Sequence, residues 1–300
     1  MNKIVLTLIA IVSLACQSEK EKQKESPTAS KPNKQMQVKQ LASDFKFTEG
    51  PAVDADGNVY FTDIPEQKIW IWTLSGKLEL FKENSGGANG LFFDQNQNLL
   101  ACEGYEGLIS KTSADGEYTI VADKFNGSRF NQPNDLWPDA KGGIYFTDPK
   151  YGDEENLPQE GMHVYYIEPE NQEVIQVTDD LVKPNGLIGS VDGTTLYITD
   201  HGDDKTFAYS VSDDGKLSEK KLFIDAGGDG MTIDQNGNIY LTTTDQMAVE
   251  VFSPEGEMIQ SIPIPEQPSN VCFGGKNRNE LFITARTSLY RVELNTKGIN

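Results

Sequence analysis

Short apolar runs alternate with polar turns along most of this chain. Runs such as Val59-Tyr60-Phe61-Thr62 and Ile239-Tyr240-Leu241-Thr242 have the length and the β-branched and aromatic content of strands. A turn containing Gly or Asn precedes them, as in Asp56-Gly57-Asn58, and these residues supply the positive φ that tight hairpins need. Between residues 45 and 294 no segment keeps a helical period. The pattern therefore predicts an all-β protein of short antiparallel strands.

This strand pattern recurs six times. In each repeat a polar residue, usually followed by Gly, opens an apolar strand, and a turn then leads to a second strand. Counted from Gly50 to Asn270, the steps between repeats are 40, 45, 51, 44 and 40 residues. A period near forty predicts a six-bladed β-propeller, with four-stranded antiparallel blades around a central channel. The opening residues are Glu49, Asn89, Asn134, Asn185, Asp229 and Ser269.

The opening residues share a side-chain oxygen, and a propeller brings equivalent positions of all blades to one axis. Asn and Gly are also ordinary turn formers, so a purely structural propeller could use these pairs. A turn, however, does not require the Glu at position 49. The pattern favours an axial cation site, and its hard oxygen ligands point to Ca²⁺ or Mg²⁺ over thiophilic metals.

Composition and cysteine content narrow the class further. A chain of 300 residues is a common length for a single propeller domain. The formal charge of −20 argues against a nucleic-acid partner, because phosphates need Lys and Arg. Cys102 and Cys272 fall in the second and sixth repeats, which are not neighbours in a six-blade ring. We therefore expect two small buried cysteines without a disulfide.

The N-terminus has the pattern of a targeting segment. Lys3 precedes an apolar stretch from Ile4 to Ala15, which is too short to span a bilayer as a helix. Val12-Ser13-Leu14-Ala15-Cys16 resembles a bacterial lipobox, although Ser13 stands where an aliphatic residue is usual. The alternative is an ordinary signal peptide in which Cys16 is incidental.

The downstream sequence favours the lipoprotein interpretation. Residues 17–40 are mostly Lys, Glu, Gln, Ser and Pro, which is typical of a flexible tether. We therefore predict a lipoprotein signal over residues 1–16, a lipid on Cys16, a disordered tether over 17–40 and the propeller over 41–300. The expected location is the bacterial cell envelope, with membrane contact through the N-terminal lipid only.

Five separated motifs between residues 45 and 294 resemble the SMP-30/gluconolactonase family of regucalcin-like lactonases. The resemblance implies a six-bladed propeller that holds one catalytic divalent cation in its channel and hydrolyses sugar lactones. The motifs are Glu49-Gly50-Pro51, Arg129-Phe130-Asn131-Gln132-Pro133-Asn134-Asp135, Tyr145-Phe146-Thr147-Asp148-Pro149-Lys150-Tyr151-Gly152, Pro184-Asn185-Gly186 and Asp229-Gly230-Met231.

The same resemblance assigns roles to individual residues. Glu49, Asn185 and Asp229 match metal ligands of the family, and Asn134 matches a position that completes the metal shell or meets substrate. Two further residues match positions that contact substrate hydroxyls, namely Arg129 and Asn131. The expected cofactor is one divalent cation, with Ca²⁺ first and Zn²⁺, Mn²⁺ or Mg²⁺ as alternatives.

Residues at the ends of the second strands are further candidates for substrate contact. The candidates are Glu103, Asp148 and His201. Each also has a structural interpretation. Asp148 can cap a turn, Glu103 can be solvated, and His201 can lie in a surface loop. The third repeat is the longest, and its extra residues around 151–161 form a candidate lid.

These observations predict a metal-dependent hydrolase that opens a small-molecule sugar lactone. A bound cation would polarise the carbonyl, and Asp229 would take the proton of the attacking water. Asp229 as a nucleophile is the mechanistic rival. The functional alternatives are an organophosphate or ester hydrolase on the same site, or a non-catalytic binding propeller stabilised by calcium. We expect a monomer.

Overall fold

A computed structural model describes residues 36–243 and 245–299, which belong to one compact unit, Met36–Asn300. Their strands form six antiparallel sheets of four strands each. The innermost strands contact one another in the cyclic order β2, β6, β10, β14, β18, β22 and back to β2. This closed ring confirms the predicted six-bladed propeller.

Each of the first five blades is built from four consecutive strands. Blade 1 contains β2 (Thr48–Val53), β3 (Val59–Asp63), β4 (Lys68–Trp72) and β5 (Leu78–Glu83). Blade 2 contains β6 (Ala88–Phe93), β7 (Leu99–Glu103), β8 (Leu108–Thr112) and β9 (Tyr118–Ala122). Blade 3 contains β10 (Leu136–Pro138), β11 (Ile144–Asp148), β12 (His163–Ile167) and β13 (Val174–Thr178). Blade 4 contains β14 (Pro184–Gly189), β15 (Thr195–Asp200), β16 (Lys205–Val211) and β17 (Leu217–Ile224). Blade 5 contains β18 (Gly228–Ile233), β19 (Ile239–Thr243), β20 (Ala248–Phe252) and β21 (Met258–Pro263).

The sixth blade joins the two ends of the propeller. It contains β22 (Pro268–Gly274), β23 (Glu280–Ala285) and β24 (Ser288–Glu293), and its outer strand is β1 (Lys39–Ala42). In this pairing Lys39 faces Arg291 and Gln40 faces Tyr290. The ordered sheet therefore begins two residues inside the predicted tether, because the backbone of Lys39 and Gln40 pairs with β24.

Five of the six opening residues lie in irregular segments of the innermost strands, and Asn134 lies in the loop before β10. The pairing register shifts between Glu49 and Ala52, and again between Pro184 and Leu187. Such bulges redirect side chains away from the regular alternation of a strand. Equivalent shifts occur between Ala88 and Leu91, Gly228 and Met231, and Pro268 and Asn270.

Close packing at the axis explains the glycine after most opening residues. A Cβ on Gly50, whose φ is +45°, would lie 1.9 Å from the backbone oxygen of Asn89. A Cβ on Gly186 would lie 2.5 Å from the backbone oxygen of Asp229. The glycine of one blade thus receives the opening residue of the next. These pairs of an opening residue and a glycine serve blade packing at the axis, and the hairpin turns lie elsewhere.

Apolar side chains pack mainly between neighbouring blades. Cys272 lies in a buried cluster with Phe61 and Phe282 between blades 6 and 1, and Cys102 packs with Phe146 between blades 2 and 3. Both cysteines are buried and free, as predicted.

The predicted signal segment, Cys16 and the tether up to residue 35 lie outside the described residues. Within the described part of the chain, no helix has the length and apolar character needed to cross a membrane.

Candidate metal centre and active site

Two carboxyl groups from blades 1 and 5 meet at the propeller axis. Glu49 is buried and Asp229 is partly buried, and the two carboxyl groups lie close enough for each to change the pKa of the other. Burial raises the pKa of Glu49 well above its ordinary value, and the nearby Asp229 carboxylate adds to this rise. Burial also raises the pKa of Asp229, while His201 and Asn185 counteract it. The pair is therefore poised to share a proton or to bind a cation.

Asn185 of blade 4 connects this pair to the candidate lid. Its Nδ2 atom donates to Oδ1 of Asp229 at 2.7 Å and to the hydroxyl of Tyr151 at 2.7 Å. The Tyr151 hydroxyl also lies 3.3 Å from Nδ1 of His201. Because both protons of the amide are used, its Oδ1 atom is the part of the side chain left for another ligand.

Asn134, the fourth predicted ligand, is buried in the loop that enters blade 3. Its backbone N–H donates to Thr147 and its carbonyl accepts from Gly90, which fixes the backbone between blades 2 and 3. Its side chain is 6% exposed and makes no hydrogen bond to the described part of the chain. A buried amide of this kind is available to a ligand.

Two residues beside the axis were not among the predicted site residues. Asp135 and Asn270 occupy the position after the opening residue, where four blades have glycine. Each side-chain Oδ1 accepts a hydrogen bond from the next residue's backbone N–H, so the two side chains share one conformation. Burial raises the pKa of Asp135 to about 7. Side-chain hydrogen bonding with Asn270 lowers the pKa of both Glu49 and Asp135.

A histidine and an arginine lie at the mouth of the site. A cavity above the axis is lined by Asp229, His201 and Arg286, together with Phe47 and Gln267. His201 thus lies beside the predicted metal ligand Asp229, and its predicted substrate contact stays a prediction. Coulombic interaction with His201, and to a lesser degree with Arg286, lowers the pKa of Asp229.

The carboxylate of Glu103 accepts hydrogen bonds from two neighbouring blades. Its Oε1 accepts from Ser110 at 2.7 Å and from Lys82 at 3.3 Å, and its Oε2 accepts from Tyr118 at 3.2 Å. These partners lie on β8 and β9 of blade 2 and on β5, the outer strand of blade 1. Glu103 therefore connects these strands, and its predicted substrate contact stays a prediction.

Asn131 and Asp148 hold the lid, and their polar atoms are occupied. The carboxylate of Asp148 accepts from the backbone N–H groups of Asn131 and Gln132, each at 2.8 Å. The Asn131 amide donates to the carbonyls of Asp148 and Gly161 and accepts from the backbone of Gln159. These structural bonds occupy the polar atoms of both residues, and their predicted substrate contacts stay predictions. The turn-capping interpretation of Asp148 describes what the structure contains.

Arg129 is also committed to backbone oxygens. It donates to the carbonyl of Tyr105 at 3.0 Å and to that of Phe130 at 3.2 Å. The guanidinium packs beside Gly107 on blade 2, because a Cβ there would lie 2.6 Å from two of its nitrogens. Its predicted substrate contact would require it to leave these partners.

The predicted ligand set has the chemistry of a hard-cation site. Among the described residues no three His, Cys, Asp or Glu side chains are grouped as a metal site, and the predicted set combines two carboxylates with two amides. Two carboxyl groups this close together do not both ionise readily without a compensating charge. A hard divalent cation supplies that charge and prefers oxygen ligands. The residues present therefore fit such a cation.

Comparison with known proteins finds relatives of this chain in sequence and in fold. The chain is 30% identical over 296 residues to a gluconolactonase from Zymomonas mobilis, covering 87% of this chain and 82% of the relative. The solved structure of a gluconolactonase from Xanthomonas campestris is 27% identical, with a TM-score of 0.81, covering 86% of this chain and 90% of that one. A regucalcin from Agrobacterium tumefaciens, 20% identical, shares the fold with a TM-score of 0.74 over 88% of this chain and 95% of that one.

A family profile also matches most of the chain. The profile described as SMP-30/gluconolactonase/LRE-like region matches residues 47–287. This range spans all six innermost strands and contains every residue of the site described above. The protein therefore belongs to the SMP-30/gluconolactonase/LRE-like family.

Proposed function

We propose that this protein is a lactonase that opens sugar lactones with one divalent cation held by Glu49, Asn134, Asn185 and Asp229. The observation that carries the proposal is the close approach of two carboxyl groups at the axis, the buried one of Glu49 and the partly buried one of Asp229. The gluconolactonases of Zymomonas mobilis and Xanthomonas campestris support the substrate class. We expect Ca²⁺ to be the bound cation, because the ligands are all hard oxygen atoms.

A cation bound there would polarise the lactone carbonyl and stabilise the negative charge that develops when water attacks. The residues of the chain supply the proton transfers. Asp229 takes one proton from the attacking water, whose oxygen forms the new bond to the carbonyl carbon. When the bond from that carbon to the ring oxygen breaks, the proton passes to the ring oxygen, which becomes a hydroxyl group.

The neighbours of Asp229 prepare it for this role. The 2.7 Å bond from Asn185 fixes the orientation of the Asp229 carboxylate and leaves its Oδ2 atom free of that donor. Burial raises the pKa of Asp229, so that its carboxylate is a stronger base than a solvent-exposed one. Tyr151 brings the lid to the same point through its bond to Asn185.

Hydrolysis of a lactone releases acid, so a pH-indicator assay on glucono-δ-lactone tests the proposal. After chelation we expect activity to be lost, and Ca²⁺, Mg²⁺, Mn²⁺ or Zn²⁺ to restore it to different degrees. Hydrolysis that persists after complete chelation would contradict the metal-dependent mechanism. Cation binding without hydrolysis of any lactone or ester would favour a calcium-stabilised binding propeller.

We also propose that a lipid on Cys16 holds the protein at the bacterial cell envelope. The support is the lipobox-like sequence ending at Cys16, followed by a polar segment typical of a tether. Metabolic labelling with a fatty acid in a bacterial host should label the wild-type chain and leave Cys16→Ser unlabelled. Equal labelling of the two chains would contradict the anchor.

A further inference from the structure

Arg286 differs from the other three arginines of the chain in its hydrogen bonding. Arg129, Arg278 and Arg291 each donate to a protein oxygen. Within the described residues the guanidinium of Arg286 makes no hydrogen bond and no ion pair. The residue is exposed, so its guanidinium is accessible to a ligand from solvent.

The position of Arg286 is nevertheless well defined. Its carbonyl accepts hydrogen bonds from the backbone and hydroxyl of Thr48, at 2.8 and 3.3 Å, directly before Glu49. Its guanidinium carbon lies 5.4 Å from the centre of the Phe47 ring. Its φ of 43° is a conformation that residues other than Gly, Asn and Asp adopt rarely. Nine other non-glycine residues of the described chain also have a positive φ, so the φ of Arg286 reflects its place in the turn between β23 and β24.

Arg286 also shares a cavity with the proposed catalytic carboxylate. Asp229, His201 and Arg286 line the mouth of the site, with Gln267 and Ser269 beside them. A ligand whose carbonyl reaches the axis must extend outward through this mouth. A guanidinium presents several N–H donors in a planar fork that matches the oxygens of carboxylate and phosphate groups.

We propose that Arg286 forms an anion subsite at the mouth, so that the preferred lactones carry a carboxylate or phosphate remote from the reacting carbonyl. This inference rests on the proposed lactonase function and specifies its substrate class. The rival explanation is that Arg286 only offsets the negative charge of Asp229. The two differ in one respect, because charge offset acts on every substrate and a subsite acts only on anionic ones.

The test compares kcat and KM of the wild type, Arg286→Met and Arg286→Lys at saturating cation. The substrates are neutral glucono-δ-lactone, 6-phosphoglucono-δ-lactone and glucaro-1,4-lactone. Arg291→Met is the matched control, because Arg291 lies in the same blade and pairs with Glu280 at 2.8 Å. The anionic lactone with the larger kcat/KM relative to the neutral lactone identifies phosphate or carboxylate as the recognised group.

We expect Arg286→Met to lower kcat/KM for the preferred anionic lactone about ten- to hundredfold, mainly through KM. The neutral lactone should change by less than about twofold, and Arg286→Lys should lie between the wild type and Arg286→Met. Equal losses on neutral and anionic lactones would overturn the subsite in favour of charge offset. Unchanged kinetics on all three would overturn it as well.

A binding measurement separates failure of the subsite from failure of the proposed function. If the wild type hydrolyses no lactone, the lactonase proposal fails. Titration of gluconate, 6-phosphogluconate and glucarate into the wild type and Arg286→Met then tests the subsite alone. Binding of 6-phosphogluconate or glucarate that is tighter than that of gluconate, with the difference abolished in Arg286→Met, would support the subsite, and equal affinities for all three acids would overturn it.

Discussion

Nδ2 of Asn185 lies 2.7 Å from Oδ1 of Asp229, in a hydrogen bond that joins blade 4 to blade 5 at the axis. The same nitrogen donates its second proton to the lid residue Tyr151. The orientation of one amide thus depends on residues from three blades. This relationship makes the proposed ligand geometry sensitive to a residue that would not itself touch the cation.

Removal of the Tyr151 hydroxyl should therefore weaken cation binding. In Tyr151→Phe the Asn185 amide loses one of its two acceptors and can rotate away from the proposed ligand orientation. We expect the Kd for Ca²⁺ to rise about tenfold, measured by titration calorimetry. Tyr105→Phe, on an exposed residue outside the site, should leave the Kd unchanged. Equal affinities in wild type and Tyr151→Phe would show that the lid does not orient Asn185.

The pH dependence of stability follows from the raised carboxyl pKa values. Burial raises the pKa of Glu49, and it raises that of Asp135 to about 7. At pH values between the unfolded pKa of about 4 and these raised folded pKa values, the native state binds more protons than the unfolded state. The cation-free protein should therefore lose stability as pH rises through this window.

A divalent cation should reverse this trend, because it replaces the shared proton between Glu49 and Asp229. We expect excess Ca²⁺ to raise Tm more at about pH 8 than at about pH 5. Glu49→Gln should reduce both the pH slope of the chelated protein and the effect of Ca²⁺. A cation effect that is larger in acid would contradict the assignment of these carboxyl groups as ligands.

Ring closure by β1 gives a prediction about truncation. Strand Lys39–Ala42 pairs with β24, and Leu41 and Ala42 pack against the cluster that contains Phe61. Deletion of residues 1–42 removes this outer strand and should lower Tm by about 5–10 °C. Deletion of residues 1–35 keeps the strand and should leave Tm unchanged. The same Tm for both truncated chains would mean that β1 does not close the ring in solution.

The sequence predicted the blades and part of the axis for a physical reason. Side-chain period and turn chemistry repeat in each blade, and a radial repeat converts equal spacing into a shared axis. That reasoning identified Glu49 and Asp229, which the structure brings into contact. It did not identify Asp135 and Asn270, because their position is occupied by glycine in the other blades and carries no side chain there to reveal the pattern.

Other features depend on partners that are distant in sequence. Glu103 ends its strand as Asp148 does, but its longer side chain reaches Tyr118 and Lys82 on outer strands. The pairing of β1 with β24 joins residues about 250 positions apart, such as Lys39 and Arg291, and the polar sequence at Lys39 has no strand pattern. Repeat spacing contains no information about either contact.

The most direct test of the central claim is calcium binding and lactone hydrolysis by Asp229→Asn, compared with the wild type and with the exposed-site control Asp213→Asn. We expect the wild type and the control to bind one cation and to hydrolyse glucono-δ-lactone. Asp229→Asn should keep the β-sheet circular dichroism, bind Ca²⁺ about 100-fold more weakly and lose at least about 100-fold in kcat. Wild-type calcium affinity together with wild-type kcat in Asp229→Asn would contradict the account.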